Sequence, residues 1–160
     1  MLNTSRTKPL DEIDKAILRE LQEDGRLSAS ELARRVKLSV AATHTRVRHL
    51  ERSGFIRGYR AVVDPEKLGF DLLCFVRISF RLHQQDEVAR FLDEVRQMPE
   101  VLECYKVTGE FDCVLKVLVR NHRDFDRFWS EKLIHIPAVA RTHTEIVTHD
   151  VKTNGSTPIV

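Results

Sequence analysis

The sequence predicts an α+β protein with a basic, helical N-terminal domain and a C-terminal domain built from strands and helices. The first 60 of the 160 residues hold 13 Lys and Arg against 8 Asp and Glu, and the remainder holds 13 against 16. Apolar residues in the first part recur mainly at helical spacing, whereas a strand–helix–strand pattern occurs twice in the second. The net charge of +2 therefore averages two segments of opposite charge.

The overall composition is typical of a packed globular chain, with 42% hydrophobic and 31% charged residues. The longest apolar run, 72–76, is far shorter than the ~20 residues of a membrane-spanning helix, so we expect no membrane partner. Residues 1–9 lack the apolar segment of a secretory signal and are predicted to be a flexible arm. The cysteines lack metal-site spacing, and we expect all three to be buried free thiols in a reducing cytoplasm: Cys74, Cys104 and Cys113.

Three helices are predicted in the N-terminal part. The first begins after the N-cap Asp11 and ends at Gly25, with apolar residues at helical spacing: Ile13, Ile17, Leu18 and Leu21. Ser28 and Glu31 form a reciprocal capping box that begins the second helix. Ser39 begins the third, which Gly54 ends. Because only residues 37–38 separate the second helix from the next cap, the pair predicts a helix-turn-helix motif.

The third helix has a small, basic exposed face. At about 100° per residue, Thr43, Val47 and Leu50 define the buried side. The residues opposite or beside it are Ala41, His44, Thr45, Arg48, His49 and Arg52. A recognition helix needs small residues near its start and arginines beyond them. The alternative is an ordinary solvated basic face, but nine basic residues against two acidic ones between residues 26 and 60 favour DNA.

Candidate DNA contacts follow from this face. Candidates for base edges are Val40, Ala41, His44, Thr45 and Arg48, with Ser39 at the start of the helix. Candidates for phosphates or for local ion pairs are Arg34, Arg35, Arg46 and Arg52. Residues 55–63 have strand composition and could supply a wing, and Asp64-Pro65 predicts a turn and a domain boundary.

The second half begins with a predicted strand over 72–82 and a helix over 86–98. The alternating inner residues of the strand are Cys74, Val76, Ile78, Phe80 and Leu82. The inner residues of the helix are Val88, Phe91, Leu92 and Val95. A strand over 101–108 follows Pro99.

The same order recurs as a strand over 113–119, a helix over 122–133 and a strand over 139–147. The inner residues of this second helix are Phe125, Phe128, Trp129 and Leu133. Two copies of strand, helix, strand predict a ferredoxin-like βαββαβ domain, with an antiparallel sheet and both helices on one face.

The uncovered face of that sheet is half apolar. Its residues are Leu73, Phe75, Val114 and Leu118, mixed with Arg77, Ser79, Arg81 and Lys116. Such a face is rarely left in water, so we expect it to pair with a second copy in a homodimer. An ordinary, partly exposed sheet is the alternative.

Three separated motifs resemble the Lrp/AsnC family of bacterial and archaeal regulators: LDEIDKAILRELQEDGRLS at 10–28, RVRHLERSGFIRGY at 46–59 and VTGEFD at 107–112. The resemblance covers about residues 10–150. It implies a winged helix-turn-helix at 10–60, a linker at 61–70, a ferredoxin-like effector and assembly domain at 71–150 and a tail at 151–160. It also implies dimers, commonly four in an octamer around which double-stranded DNA wraps, and a cytoplasmic, nucleoid-associated protein.

The resemblance further implies a free amino acid held between dimers near the loop that joins the second and third strands. In this sequence, the residues that the resemblance implies as contacts of the amino acid are Thr108, Gly109, Glu110, Phe111 and Asp112 of the loop, with Thr142 and Thr144 on the last strand. Asp112 could accept the ammonium, and Gly109 lets backbone N–H groups approach the carboxylate. A plain hairpin turn is the alternative interpretation. Two features depart from the family pattern: Cys113, where an aromatic residue is common, and the tail TNGSTPIV.

These observations predict a DNA-binding protein. The resemblance implies a transcriptional regulator whose affinity or assembly responds to a free amino acid, and the likeness of the motif at 46–59 to the leucine-responsive branch favours leucine or another apolar amino acid. The alternative is an architectural DNA-wrapping protein without an effector. An enzyme is not expected, because His143 and His149 near Asp150, or Cys104 with His135, lack the spacing of known catalytic motifs. No catalytic residue, metal or cofactor is therefore assigned.

Overall fold

The computed structural model describes residues 9–81, 85–153 and 155–160. The chain divides into two compact units. The first runs to Val62 and includes Lys152–Val160, and the second comprises Val63–Val151. Leu82, predicted on the inner face of the first strand, lies outside the described residues.

Three helices form the first unit: α1 (Glu12–Glu23), α2 (Ala29–Arg35) and α3 (Val40–Arg52). Their N-caps are the predicted ones: the side chains of Asp11, Ser28 and Ser39 each accept a backbone N–H three residues later. Each such bond satisfies one of the donors that a helix start leaves unpaired. The helix-turn-helix prediction is thus confirmed, although α1 ends at Glu23, before Gly25.

The helices pack around Ile17, Leu32 and Leu50, which are all buried. Burying one such side chain stabilises the fold by about 1.5–3 kcal/mol. Thr43 is also buried, and its hydroxyl donates to the Ser39 carbonyl at 3.0 Å, so it carries no unpaired polar group into the core. The buried stripe predicted for α3 is confirmed by Thr43 and Leu50.

Two local predictions in this unit are wrong. Residues 55–63 contain no strand, because no other strand lies in the described part of the first unit to complete a ladder. Glu31 does not complete a reciprocal capping box with Ser28, because Arg34 and Arg35 hold its carboxylate. The Ser28 half of the box is present.

The tail of the chain contacts α1 within the first unit. Arg19 Nη2 donates to the Ile159 carbonyl at 3.1 Å. The Gln22 side-chain amide bonds both the N–H and the carbonyl of Thr157.

The second unit has the order β1 (Leu72–Phe80), α4 (Gln85–Arg96), β2 (Val101–Lys106), β3 (Cys113–Val119), α5 (His122–Arg127), a π-helical turn (Phe128–Leu133) and β4 (Val139–Ile146). The strands form one antiparallel sheet in the order β2-β3-β1-β4. This is the predicted ferredoxin-like arrangement. A turn precedes it, where the Asp64 carboxylate accepts the N–H groups of Glu66 and Lys67.

The core of this unit lies between the sheet and its helices. Alternate residues of β1 and β3 are buried, and Phe91, Val95, Phe128 and Leu133 cover them from the helical side. The helix predicted over 122–133 changes to a π-helical turn at Phe128, and Trp129 Nε1 donates to Thr142 Oγ1 at 3.1 Å.

One prediction about the cysteines is also wrong. Cys74 and Cys113 are buried, but Cys104 is exposed because β2 is an edge strand of the sheet. No helix in the described part of the chain is long and apolar enough to cross a membrane.

Candidate nucleic-acid interface and effector cavity

The exposed face of α3 carries the side chains predicted to contact bases. These exposed residues are Ser39, Val40, Ala41, His44, Thr45 and Arg48. Val40, which is 45% exposed, places an apolar side chain at the start of this face. The buried Thr43 and Leu50 fix the orientation of this face relative to the core.

Arg46 occupies a different position from the other α3 arginine candidates. Its Nη1 lies 2.6 Å from Asp11 Oδ2 and 2.8 Å from Asp14 Oδ1, so it joins α3 to the start of α1. Of the two roles open for Arg46, the structure places it in the local ion pair. Arg52 instead donates its Nε to the Arg48 carbonyl at 3.2 Å and remains exposed.

Arg34 and Arg35 meet at one carboxylate. Glu31 Oε1 lies 2.7 Å from Arg34 Nη2 and 3.0 Å from Arg35 Nε, and Arg35 also reaches Glu20 at 2.8 Å. These hydrogen bonds, first from Arg34 and then from Arg35, lower the pKa of Glu31 to about 2. Both arginines stay exposed, Arg34 with 74% of its side chain, so each can still face an external anion.

The second unit contains a solvent-open cavity of about 650 Å³ on the sheet face away from the helices. Its lining residues are Arg77, Val107, Thr108, Glu110, Phe111, Val114, His143 and Glu145. Three of the predicted effector contacts, Thr108, Glu110 and Phe111, therefore line one concave surface. Such a volume is within the usual range of small-molecule sites.

Charged groups are paired around this cavity. Arg77 Nε lies 2.9 Å from Glu145 Oε2, and Arg141 Nη2 lies 2.8 Å from Glu110 Oε1. The guanidinium of Arg141 also stands 5.0 Å from the centre of the Phe111 ring. The lining thus combines the Phe111 ring with the Arg77–Glu145 ion pair and with Glu110, which is paired to Arg141 beside the cavity.

The loop at 107–112 is anchored at its Asp112 end. Asp112 donates its N–H to the Ile78 carbonyl at 2.9 Å, and its Oδ2 accepts the Phe80 N–H at 2.8 Å. Asp112 therefore continues the hydrogen bonding between β1 and β3 one residue beyond their last pair, Ile78 with Cys113. Gly109 has φ of 118°, a conformation that side-chain-bearing residues rarely adopt, with open space where a Cβ would be.

Thr142 and Thr144 lie apart from the cavity. In the β1–β4 register they pair with Ile78 and Val76, whose side chains are buried under the helices. His143 and Glu145, which alternate with them, line the cavity instead. Thr142 is bound to Trp129, so its predicted contact with an effector remains a prediction.

Two family models match this chain. A model described as a winged helix-turn-helix DNA-binding domain matches residues 10–57. A model described as the Lrp/AsnC ligand binding domain matches residues 73–157. The chain belongs to the Lrp/AsnC family. It is a transcriptional regulator with a helix-turn-helix DNA-binding domain and an Lrp/AsnC ligand-binding domain, as the motifs at 10–28, 46–59 and 107–112 predict.

Several Lrp/AsnC relatives extend over almost the whole chain. The proline dehydrogenase transcriptional activator of Rhizobium radiobacter is 38% identical over 155 residues, covering 97% of this chain and 99% of the relative. The leucine-responsive regulatory protein of Escherichia coli K12 is 42% identical over 145 residues, covering 91% and 88%. The structure of a Neisseria meningitidis transcriptional regulator in complex with L-Met superposes with a TM-score of 0.91 at 35% identity, covering 94% and 97%.

The sheet residues of the cavity were not among the predicted contacts of the Lrp/AsnC effector site. Arg77, Val114, His143 and Glu145 come from three strands, and only their register brings them together. A partial signal was present, because strand alternation places His143 and Glu145 opposite Thr142 and Thr144. Within the described ranges, no group of three or more His, Cys, Asp or Glu side chains could hold a metal ion.

Proposed function

We propose that α3 contacts base edges in the major groove of double-stranded DNA. The proposed contacts are Ser39, Val40, Ala41, His44, Thr45 and Arg48. The observation that carries this proposal is the exposure of all six, five of them on α3 and Ser39 at its N-cap, while the opposite side of the helix is buried. Arg34, Arg35 and Arg52 are proposed for phosphates, because all three residues are exposed.

We assign Arg46 to the internal ion pair with Asp11 and Asp14, in which it aligns α3 with α1. Its Nη1 contacts both carboxylates, and its side chain is less exposed than that of Arg34 or Arg35. The DNA role of Arg46 is thus proposed to be indirect, through the orientation of α3.

The outer sheet face supports a homodimer. Leu73, Phe75, Val114 and Leu118 are only half buried, and a second copy of the same face would cover them. Dimer symmetry then predicts two similar DNA half-sites about one helical turn apart. Four dimers in an octamer, and a cytoplasmic, nucleoid-associated location, are proposed from the family resemblance.

The effector is proposed to be leucine or another apolar amino acid in the cavity beside Phe111. Its carboxylate would face the Arg77 guanidinium or the backbone at Gly109, and its ammonium would face Glu145 or the Asp112 carboxylate. Val107 supplies apolar wall for the side chain, and Val114 is left to the proposed dimer face. The leucine-responsive name of one relative and the L-Met in another support an amino acid of this class.

The second candidate is an architectural DNA-wrapping protein that has the same interface but no effector response. The half-apolar sheet face and the basic α3 favour both candidates equally, because assembly and wrapping need no small molecule. Only ligand binding at the cavity separates them.

A thermal-shift screen of the twenty amino acids with the full-length protein tests the effector site. A ligand at 100 times its Kd stabilises the folded state by about 2.7 kcal/mol. Apolar amino acids should raise the Tm, and Phe111→Ala should remove the shift. Ile134→Ala is the matched control, since Ile134 is also partly exposed but follows the helical layer on the other face of the sheet. No shift with any amino acid at millimolar concentration would favour the architectural protein.

A further inference from the structure

Two of the three thiols are neighbours on β2, the edge strand of the sheet, and β3, the strand beside it. Cys104 Sγ in β2 and Cys113 Sγ at the start of β3 are 3.5 Å apart. In the β2–β3 register, Cys104 pairs with Leu115 and Cys113 pairs with Lys106, so the cysteines are diagonal neighbours on one face. Both are free thiols.

The two thiols differ in access to solvent. Cys104 is exposed on the edge strand, whereas Cys113 is fully buried beside it. A soluble oxidant can therefore reach Cys104 first and leave Cys113 as its nearest partner. Cys74 offers a comparison, because it is buried in β1, opposite Val117 of β3.

The same contact makes Cys104 the more acidic thiol. A hydrogen bond from Cys113, aided by the positive charge of Arg96, lowers the pKa of the Cys104 thiol to about 7. The pKa of Cys113 is raised, first by the hydrogen bond to Cys104 and then by burial, and burial alone raises that of Cys74. Because the thiolate is the nucleophile, Cys104 is the thiol that reacts first near neutral pH.

We propose that Cys104 and Cys113 form a peroxide-reactive modification site that closes to a reversible intrachain disulfide. The Cys104 thiolate attacks a hydroperoxide oxygen, which breaks the O–O bond, forms a sulfenic acid and releases hydroxide, or water once protonated. Cys113 then loses its proton and attacks the Cys104 sulfur, which forms the S–S bond and expels a second water. Two thiols and one hydrogen peroxide give one disulfide and two waters. An external dithiol reverses the reaction by exchange.

The site lies at the base of the loop at 107–112. Cys113 follows Asp112, whose carboxylate and N–H both bond β1. A disulfide requires about 2.05 Å between sulfurs, so closing the 3.5 Å gap moves the two strands or their side chains at this point. We expect the oxidised protein to bind the amino acid more weakly, a consequence that rests on the proposed effector site. Disulfide formation itself does not.

The test treats native full-length protein with hydrogen peroxide and maps its peptides without reduction, in the absence of any ligand. Wild type and Cys74→Ala should both yield the 104–113 linkage, which dithiothreitol removes. Cys113→Ala should stop at a Cys104 sulfenic acid that a cyclic diketone traps. Cys104→Ser should form no intrachain disulfide. This variant keeps the experiment decisive if Cys113→Ala fails to fold, because an exposed serine at 104 leaves no polar group buried.

Three outcomes would overturn the proposal: both thiols still reduced in wild type, Cys104 oxidised to sulfinic acid with Cys113 unlinked, or Cys104 linked to a second chain. The expected weakening of amino-acid binding is measured separately, by comparing the affinity for the amino acid before and after oxidation. We expect at least about a fivefold weakening in wild type and none in Cys104→Ser. Equal affinities in a protein with the mapped disulfide would overturn that consequence.

Discussion

Arg46 of α3 and Asp14 of α1 form an ion pair of 2.8 Å in which the Asp14 side chain is only 12% exposed. The same guanidinium holds Asp11, the N-cap of α1, at 2.6 Å. One arginine thereby joins the start of the first helix to the middle of the third. Since α3 is the helix proposed to contact DNA, its orientation depends on this contact.

Replacing Arg46 with alanine should destabilise the helical unit by about 2 kcal/mol, because the largely buried Asp14 carboxylate would lose its hydrogen-bonding partner. Arg52→Ala is the control, and it should change the free energy of unfolding by less than about 0.5 kcal/mol, since Arg52 is exposed. Urea unfolding followed by far-UV circular dichroism measures both. Equal effects of the two substitutions would show that the Arg46 pair contributes nothing.

Arg48 and Arg34 should affect DNA binding in different ways. Arg48→Ala should lose about 1–3 kcal/mol of discrimination at one base pair, because an arginine on a recognition helix contacts base edges. Arg34→Ala should weaken binding to every sequence and lower the salt slope by about one. Competition binding on a set of single-base operator variants at several salt concentrations separates the two. Indistinguishable effects of both mutants on all sequences would refute the assignment.

Glu31 should titrate far below an ordinary glutamate. Arg34 and Arg35 lower its pKa from 4.5 to about 2. Its folded pKa lies below its unfolded value, so its contribution to stability is complete above about pH 4.5 and is lost as the pH falls toward 2. A carbon-detected NMR titration of the Glu31 carboxylate measures this directly. Arg34→Ala should raise the pKa, whereas an unchanged pKa in that variant would exclude Arg34 as the main cause.

Asp112 is expected to have two separable roles. Asp112→Ala removes the acceptor of the Phe80 N–H and should destabilise the second unit by about 1 kcal/mol. Asp112→Asn keeps a carbonyl oxygen for that bond but loses the charge proposed to face the ligand ammonium. Thermal unfolding and amino-acid affinity are measured on both variants. Wild-type affinity in the asparagine variant would leave Asp112 with its structural role alone.

Helix starts and the alternation of buried residues in a strand were predictable, because each depends on residues only a few positions apart in the chain. Ser28 and Ser39 begin helices by bonding an N–H three residues later, a distance visible in the sequence. The strand at 113–119 was predicted to the residue, since its alternation is unbroken. The wing strand was not predictable in the same way. Residues 55–63 have suitable composition, but a strand also needs a neighbour, which composition does not reveal.

Cross-strand relationships were the part that the sequence concealed. The cavity unites Arg77 and Val114 with His143, residues up to 66 apart in the chain. Likewise, Cys104 and Cys113 lack any recognised motif spacing, yet the β2–β3 register places their sulfurs in contact. Register depends on the whole sheet, so neither feature could be inferred from spacing alone.

The most direct test of the central claim is DNA affinity measured by fluorescence anisotropy as a function of salt, with and without the amino acid that the screen identifies. The duplex is one selected by the protein from a random library. We expect log K to fall steeply and linearly with log salt, and the amino acid to change the affinity at least about fivefold in wild type but not in Phe111→Ala. A flat salt response, or an affinity that the bound amino acid leaves unchanged together with an unchanged assembly state, would contradict an effector-controlled DNA-binding regulator.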